Sequence, residues 1–319
     1  MTDAFTRKRT AKLMERGYEH LDSGEFEEAL KVAAELETVG FSAAFEIGAR
    51  AHEALGDPSS AIETLERGVE LAPNVWLNWA LLGNLRSDAG NLVGALEAFE
   101  SALRCPHVHV GPVRLNQAIV TNRQNDWEQS IQILDEMDDD ELRLPVIETR
   151  MVALRGLERF DDAVSLGQSS LQDSDFEDDP ETAVRIGALA ARIQFESGES
   201  TSSEARDRAL ALLRYSTDCD DAMWLLRHVD KVYSKQSTYY RVLVQGQAPS
   251  IENVDGYFVT YDVVADSPES SLRFIEELEA LAGHGNCRID EVETIEDRPK
   301  DLQGVYSRSG RTYFVEDEK

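Results

Sequence analysis

Hydrophobic residues stand at helical spacing through most of the first two thirds of the chain, and their pattern repeats. Segments beginning at Gly24, Gly56 and Gly90 each place an Ala five residues after the Gly. Weaker copies begin at Asn125 and Glu158, which gives steps of 32, 34, 35 and 33 residues along the chain. A period of this length indicates a stack of repeated helix pairs, each of which buries its apolar face against its neighbours.

The residue types at the repeated positions explain why each repeat forms a pair of helices. The Gly can adopt the positive φ at which a helix ends, and the apolar residue that follows begins the next helical stripe. The small Ala allows the two helices of a pair to approach closely. Proline falls between the units, where helices must stop, at Pro73, Pro106, Pro112 and Pro145.

The segment from Trp76 to Cys105 contains W-x2-L-G, then G-x4-A, Phe and Ala in that order. It resembles the tetratricopeptide repeat (TPR) family, and the resemblance covers residues 10 to 172 with a degenerate continuation to about 215. The fourth unit departs from the family pattern, because Gln117-Ala118 replaces Leu-Gly. The resemblance implies an all-α helical-repeat solenoid that winds as a right-handed superhelix.

Two further helical segments follow the five units. Pro180 to Tyr215 predicts a sixth helix pair with its turn at Gly198, although Ala205 lies seven residues beyond that Gly and not five. Cys219 to Tyr233 has an amphipathic pattern that suits a terminal helix closing the exposed end of the array.

After Lys235 the helical pattern gives way to runs rich in Tyr and Val. We therefore predict a repeat array with a capping helix over 1–235 and a small α+β domain over 236–319, with the order β-β-α-β-β. Its predicted strands are Tyr239–Val244, Tyr257–Val264, Cys287–Ile295 and Val305–Val315, the last folding back at Ser309-Gly310 as a hairpin, and its helix begins at Ser267-Pro268.

The charge of the chain excludes several classes of partner. The 319 residues include 32 Lys and Arg against 61 Asp and Glu, a formal net charge of -29, which disfavours nucleic acid and anionic lipid. We expect a protein partner, with a basic face, and no nucleic acid or membrane. No secretory or membrane-spanning apolar run is present, so we expect a cytoplasmic protein. An acidic surface with only seven Lys suits a salty environment.

No residue pattern indicates catalysis, a metal or a cofactor. Cys105, Cys219 and Cys287 are widely separated, so no disulfide framework or CxxC pair is present. His107 and His109 alternate beside Cys105, but without a second ligand cluster they read as a loop between repeats. Nucleophile-elbow, zinc-protease, phosphate-binding and dinucleotide-binding motifs are absent from the sequence.

The resemblance also implies a binding surface on the first helix of each pair, facing the concave side of the array. The family's paired Lys and Asn, which hold a terminal carboxylate, are replaced by Met14 and Tyr18. We expect a largely apolar groove that receives a partner peptide or amphipathic helix, unless the C-terminal domain covers it. The expected groove residues are Met14, Tyr18, Leu21, Glu46, Ile47, Arg50, Leu77, Leu81, Asn84, Leu115, Asn116 and Ile119.

These observations favour a protein-interaction adaptor or scaffold that uses the groove of its repeats. One alternative is that the C-terminal α+β domain is a small-ligand sensor or small enzyme and that the repeats anchor it. A purely structural role, with self-association through the end helices, is a third possibility. The sequence supplies neither the partner nor the oligomeric state.

Overall fold

The computed structural model describes residues 4–137, 142–172, 174–216, 219–249, 251, 254–295 and 301–314, with only the backbone of 4–7. These residues form fifteen helices and five strands. The chain divides into two compact units, Met1–Thr149 and Arg150–Lys319. The change from helices to strands lies near residue 235 as expected, but it falls inside the second unit, and a domain boundary there stays a prediction.

The first unit consists of antiparallel helix pairs that follow the predicted repeat. Helices of a pair pack on one another and on the first helix of the next pair, so the core is a series of small clusters. The helices are α1 (Ala4–Asp22), α2 (Phe26–Thr38), α3 (Ala43–Ala54), α4 (Pro58–Leu71), α5 (Trp76–Asp88), α6 (Leu92–Leu103), α7 (Val110–Arg123) and α8 (Trp127–Asp135), with α9 (Arg143–Gly156) beginning here.

The turn inside each pair has the backbone conformation that the sequence predicts. Gly24, Gly56 and Gly90 have φ values of 74°, 78° and 81°. In the fourth and fifth pairs Asn125 and Glu158 take the same left-handed conformation, at 62° and 58°. Asn adopts this region more readily than most residues, whereas Glu accepts a conformational cost there. The turn therefore persists where the Gly does not.

The small residue that follows each turn lies in the core, on the second helix of its pair. It is fully buried in all six pairs, including the sixth, where two extra residues separate it from the turn. In the fourth pair the small residue is Ser130, whose hydroxyl donates to the carbonyl oxygen of Ala118 at 3.0 Å. This bond satisfies a polar group that would otherwise be costly to bury. The six residues are Ala29, Ala61, Ala95, Ser130, Ala163 and Ala205.

Gly83 shows how closely the helices of the third pair approach. A Cβ atom added at Gly83 would lie 2.5 Å from Cε1 of Phe99, which is itself fully buried in α6. The ring therefore occupies the space that any other residue would need for its side chain.

We predict that Gly83→Ala destabilises the protein by about 1–3 kcal/mol, because the added methyl group overpacks a closed core. Chemical denaturation followed by circular dichroism measures the change. Gly310→Ala is the control, because a Cβ there meets no atom within 4 Å. Equal stability of the two variants would contradict the close approach of α5 and α6.

The second unit begins with further helices and ends in an antiparallel sheet. No helix in the described part of the chain has the length and apolar character needed to cross a membrane. The elements are α10 (Phe160–Ser170), α11 (Asp175–Asp178), α12 (Pro180–Glu196), α13 (Ser202–Leu212), α14 (Asp220–Asp230), β1 (Thr238–Gln247), β2 (Gly256–Ala265), α15 (Pro268–Leu281), β3 (Gly285–Thr294), β4 (Gly304–Arg308) and β5 (Thr312–Phe314).

The sheet has the strand order β3-β1-β2-β4, with β5 also paired to β2. The predicted hairpin at Ser309-Gly310 is wrong, because β4 and β5 do not pair with each other but lie in line along the same edge of β2. Between them, Ser309 N–H donates to the carbonyl of Thr260, and Thr260 N–H donates to Ser309 Oγ. These bonds hold the chain to β2 where a turn was expected. Val315 lies outside the described residues.

Helices α12, α13 and α14 share one hydrophobic core with the sheet and α15. This core joins Ala188 and Met223 of the helices to Val244 and Tyr261 of the strands. Polar contacts add to it, because the N–H of Gln303 donates to the carbonyl of Val232 at 2.8 Å. The sheet therefore depends on the helices that precede it.

We predict that a fragment of residues 236–319 does not fold cooperatively, whereas residues 150–319 do. The shorter fragment lacks the helical half of the core and would expose apolar residues of its strands to water. Thermal melting followed by near-ultraviolet circular dichroism distinguishes the two. A sharp melting transition of the shorter fragment would show that the sheet and α15 form an independent domain.

Candidate functional site

A depression of about 300 Å³ lies on the first unit, where α3, α5 and α7 run side by side. Each of these is the first helix of its pair, as the groove prediction requires. Five of the predicted groove residues line it: Arg50, Leu81, Asn84, Asn116 and Ile119.

The floor of the depression is apolar. Ile119 is 40% exposed and Leu81 is half-buried, so both present surface to solvent. Ala49, Leu85 and Val120 lie behind them as buried residues that also line the depression. An apolar side chain placed here would lose contact with water on most sides, which favours binding by about 25 cal/mol for each Å² of apolar surface buried.

Two side-chain amides also line the depression and can make directional polar contacts. Asn116 Nδ2 donates to Asn84 Oδ1 at 2.9 Å, which joins α7 to α5. The remaining Nδ2 of Asn84 and Oδ1 of Asn116 have no partner among the described residues. The N–H groups of Asn84 Nδ2 can therefore donate to a bound molecule, and Asn116 Oδ1 can accept from it.

Charged groups of both signs surround the floor. Arg50 is exposed and pairs with Glu46 at 3.1 Å, while Arg123 contacts Ser87 Oγ at 2.5 Å and Asp88 at 3.6 Å. Glu53 also lines the depression. Local charge is therefore close to balanced, in contrast to the strongly acidic chain as a whole.

Three predicted groove residues are buried, so their assignment to the binding surface is corrected. Ile47 is fully buried in the core of α1, α2 and α3, and Leu115 is buried in the core of α7 and α8. Glu46 is also buried and accepts a hydrogen bond from Tyr18 Oη at 2.8 Å. Burial, and then this bond, raise the pKa of Tyr18 to about 12.

The other four predicted residues lie outside the depression. Met14, Tyr18 and Leu21 are half-buried and pack against the core of α1 to α3, while Leu77 is half-buried in the first turn of α5. Their role in binding stays a prediction.

Sequence reasoning missed Glu53, Asp88 and Arg123, which line the same depression. All three lie three or four residues beyond a predicted groove residue, and are thus on the same helix face one turn later. Extending each helix stripe by one turn toward its C-terminus would have found them.

A second cluster of functional side chains lies inside the second unit, around Glu279. The carboxylate is fully buried and accepts hydrogen bonds from Tyr261 Oη and, at 3.1 Å each, from Nε and Nη2 of Arg311. His284 Nδ1 lies 3.0 Å from Oε2 of the same carboxylate. The Tyr257 hydroxyl lies 3.5 Å from Cys287 Sγ beside the cluster.

The electrostatics of this cluster indicate a structural role. Burial alone would raise the pKa of Glu279, but the hydrogen bonds from Arg311 and Tyr261 outweigh it and lower the pKa. Burial raises the pKa of the Cys287 thiol, which disfavours a reactive thiolate. Within the described residues no group of three His, Cys, Asp or Glu side chains could hold a metal ion. The cluster ties α15, β2 and the chain end to one another.

We predict that Arg311→Met destabilises the protein by about 3–5 kcal/mol at neutral pH, because it leaves a buried carboxylate without its cation. In the native protein a lowered pKa contributes stability above the unfolded pKa and loses it as the pH falls through the folded pKa. Without Arg311 burial raises the pKa, so the loss should shrink as the pH falls and Glu279 takes up a proton. Denaturation at a series of pH values measures this.

Two further variants control that experiment. Glu279→Gln combined with Arg311→Met removes both charges and should recover part of the stability lost in Arg311→Met. Arg288→Met changes an exposed Arg on β3 and should have little effect. A pH-independent loss in Arg311→Met would mean that packing, and not charge, explains its contribution.

Comparison with known proteins places the fold. No protein-family model matches the chain. A TPR repeat-containing protein of Pseudomonas aeruginosa is 43% identical over 54 residues, which are 17% of this chain and 51% of that protein. The match thus spans about half the length of that curated relative.

Two solved structures are similar in fold. A tetratricopeptide repeat protein from Parabacteroides merdae matches with a TM-score of 0.59 at 12% identity, over 70% of this chain and 86% of that one. The Cut9–Hcn1 hetero-tetramer of the APC/C matches with a TM-score of 0.53 at 16% identity, over 69% of this chain and 42% of that one.

The repeated helix pairs, their left-handed turns and their buried small residues define a helical-repeat protein built of two-helix units. Their fold is similar to that of tetratricopeptide repeat proteins, and a segment of 54 residues is similar in sequence to the TPR repeat-containing protein of Pseudomonas aeruginosa.

Proposed function

We propose that this protein is an interaction adaptor whose depression on α3, α5 and α7 binds a peptide or helix of a partner protein. The observation that carries the proposal is the combination of half-buried Leu81 and exposed Ile119 on an apolar floor with the amide groups of Asn84 and Asn116. Apolar area provides affinity, and the amides provide direction.

The size and charge of the depression define what it accepts. A volume of about 300 Å³ holds one or two apolar side chains, not a whole helix. An amphipathic helix or extended peptide would therefore insert an apolar anchor while the rest of it lies across the helices. Arg50 and Arg123 can pair with acidic groups of a partner, and Glu53 and Asp88 can pair with basic groups. The apolar anchor therefore determines which partner binds more than charge does.

The charge of the whole chain acts at longer range. With a net charge of -29, the protein attracts a partner that carries a basic face and repels acidic ones. The Cut9–Hcn1 structure, which shares the fold, is an assembly of two different proteins. This agrees with a role in holding a second protein.

We predict that Leu81→Asp and Ile119→Asp each weaken partner binding at least about tenfold, because a carboxylate on the floor would be desolvated by the bound apolar side chain. Affinity capture from native lysate identifies the partner by mass, and titration of the purified partner gives the affinity of each variant.

Leu71→Asp and Val93→Asp are matched controls. Leu71 and Val93 are 71% and 65% exposed, lie on the second helices α4 and α6, and do not line the depression. Both should bind as the unchanged protein does. Equal binding by all four variants would rule out the depression as the binding site.

The alternative function, in which the C-terminal region senses a small ligand, would depend on the polar side chains of that region. Its polar side chains converge on Glu279, where they are buried and hydrogen-bonded to one another. Because the carboxylate of Glu279 already accepts hydrogen bonds from these neighbours, a structural role is better supported than ligand binding. A ligand-dependent rise in the melting temperature of residues 150–319 would favour the alternative instead.

A further inference from the structure

The exposed edge of the sheet is formed by β3, which pairs with β1 on one side only. Asp290, Glu291, Val292, Glu293 and Thr294 are consecutive residues of this strand, and all five are exposed. No described strand lies along their outer side.

Main-chain groups along this edge alternate in direction. The N–H of Ile295 donates to the carbonyl of Tyr239 at 2.9 Å, and the register pairs Arg241 with Glu293 and Tyr240 with Thr294. In an antiparallel pair such bonds occur at every second residue. The N–H and C=O of Val292 and Thr294 therefore point away from β1, toward the free edge.

The side chains along the edge differ between its two faces. Glu291 and Glu293 lie opposite Leu243 and Arg241, on the face of the sheet opposite the one that packs in the hydrophobic core. Val292 lies opposite the buried Val242, on the helix-packed face, but is itself 42% exposed. One face of the edge is thus acidic, and the other offers apolar surface.

We infer that β3 accepts an extended segment of a partner protein as an additional strand, and that this segment alternates basic and apolar residues. Main-chain hydrogen bonds to Val292 and Thr294 would align it, as in other cases of strand addition. Its basic side chains would lie beside Glu291 and Glu293, and its apolar side chains beside Val292. This inference is independent of the depression on the first unit.

Charge selects this occupant over a second copy of the chain. Asp290, Glu291 and Glu293 place three carboxylates within four residues. Of these, Glu293 lies 3.9 Å from Arg241, which is hydrogen-bonded to Asp262. Two β3 edges brought together would oppose carboxylate to carboxylate, which is a common protection against self-pairing. A basic strand meets no such barrier.

The test uses the whole 319-residue chain and a labelled peptide that alternates Lys and Val, with fluorescence anisotropy as the measurement. We expect saturable binding, and protection of the amides of Val292 and Thr294 from hydrogen exchange. Val292→Pro removes an outward N–H that β1 does not use, and should weaken binding at least about fivefold. Val292→Ile keeps both that N–H and an apolar β-branched side chain, and should bind as before.

Two comparisons separate strand addition from general attraction to an acidic surface. A peptide with the same Lys and Val content, but with the Val residues grouped together, should bind more weakly because its faces no longer match the edge. Glu291→Lys reverses one charge of the edge and should weaken binding of the alternating peptide. This variant tests the inference even if Val292→Pro proves unstable in a melting experiment. Equal binding of both peptides, or of the Glu291→Lys protein, would overturn the inference.

Discussion

The close contact between the two helices of each pair is the constraint on which this structure depends. On the second helix of every pair the chain places a small, fully buried side chain, from Ala29 in the first pair to Ala205 in the sixth. A larger residue would push the helices apart, and because each pair packs on the next, the change would affect the neighbouring pairs as well. The left-handed turn before each contact fixes where the second helix begins.

The depression on α3, α5 and α7 is a consequence of that stacking. Because one face of each first helix is committed to the core, another face remains for solvent, and the same positions recur on successive helices. Asn84 of α5 and Asn116 of α7 lie 32 residues apart, one helical turn out of the 35-residue repeat register, and bond to each other across adjacent first helices. Repetition of helix pairs therefore brings side chains of successive first helices together, although they are far apart in the sequence.

Local signals in the sequence were sufficient for most of the fold. The helix pairs, their turns, the helix at Pro268 and the strands on either side of it follow from periodicity, capping and Gly placement. The hairpin prediction failed because a Ser-Gly pair permits a turn but does not require one. The bonds from Ser309 to Thr260, 49 residues away, decide the outcome.

The candidate site could be predicted only in part, because sequence periodicity carries local information and not the long-range contacts. A repeat pattern indicates which helix face is shared, and this was enough to group Leu81, Asn84 and Ile119, which line one depression. Their role in binding stays a prediction. The repeat pattern does not indicate which turn of that face lies over a neighbour, so Ile47 and Leu115 were misplaced into the groove although they are core residues. The Glu279 and Arg311 pair joins residues 32 positions apart on different elements, with no periodic signal between them.

The two proposed binding surfaces differ in the physical basis of their affinity. Burial of apolar area in a depression with balanced charges changes little with ionic strength, whereas attraction of a basic strand to the carboxylates of β3 weakens as salt screens it. In a chain with a net charge of -29, every basic protein is attracted to some extent at low salt. Binding that persists at high salt therefore reports apolar contacts, and specificity at the acidic edge must come from main-chain hydrogen bonds and strand register, which salt does not supply.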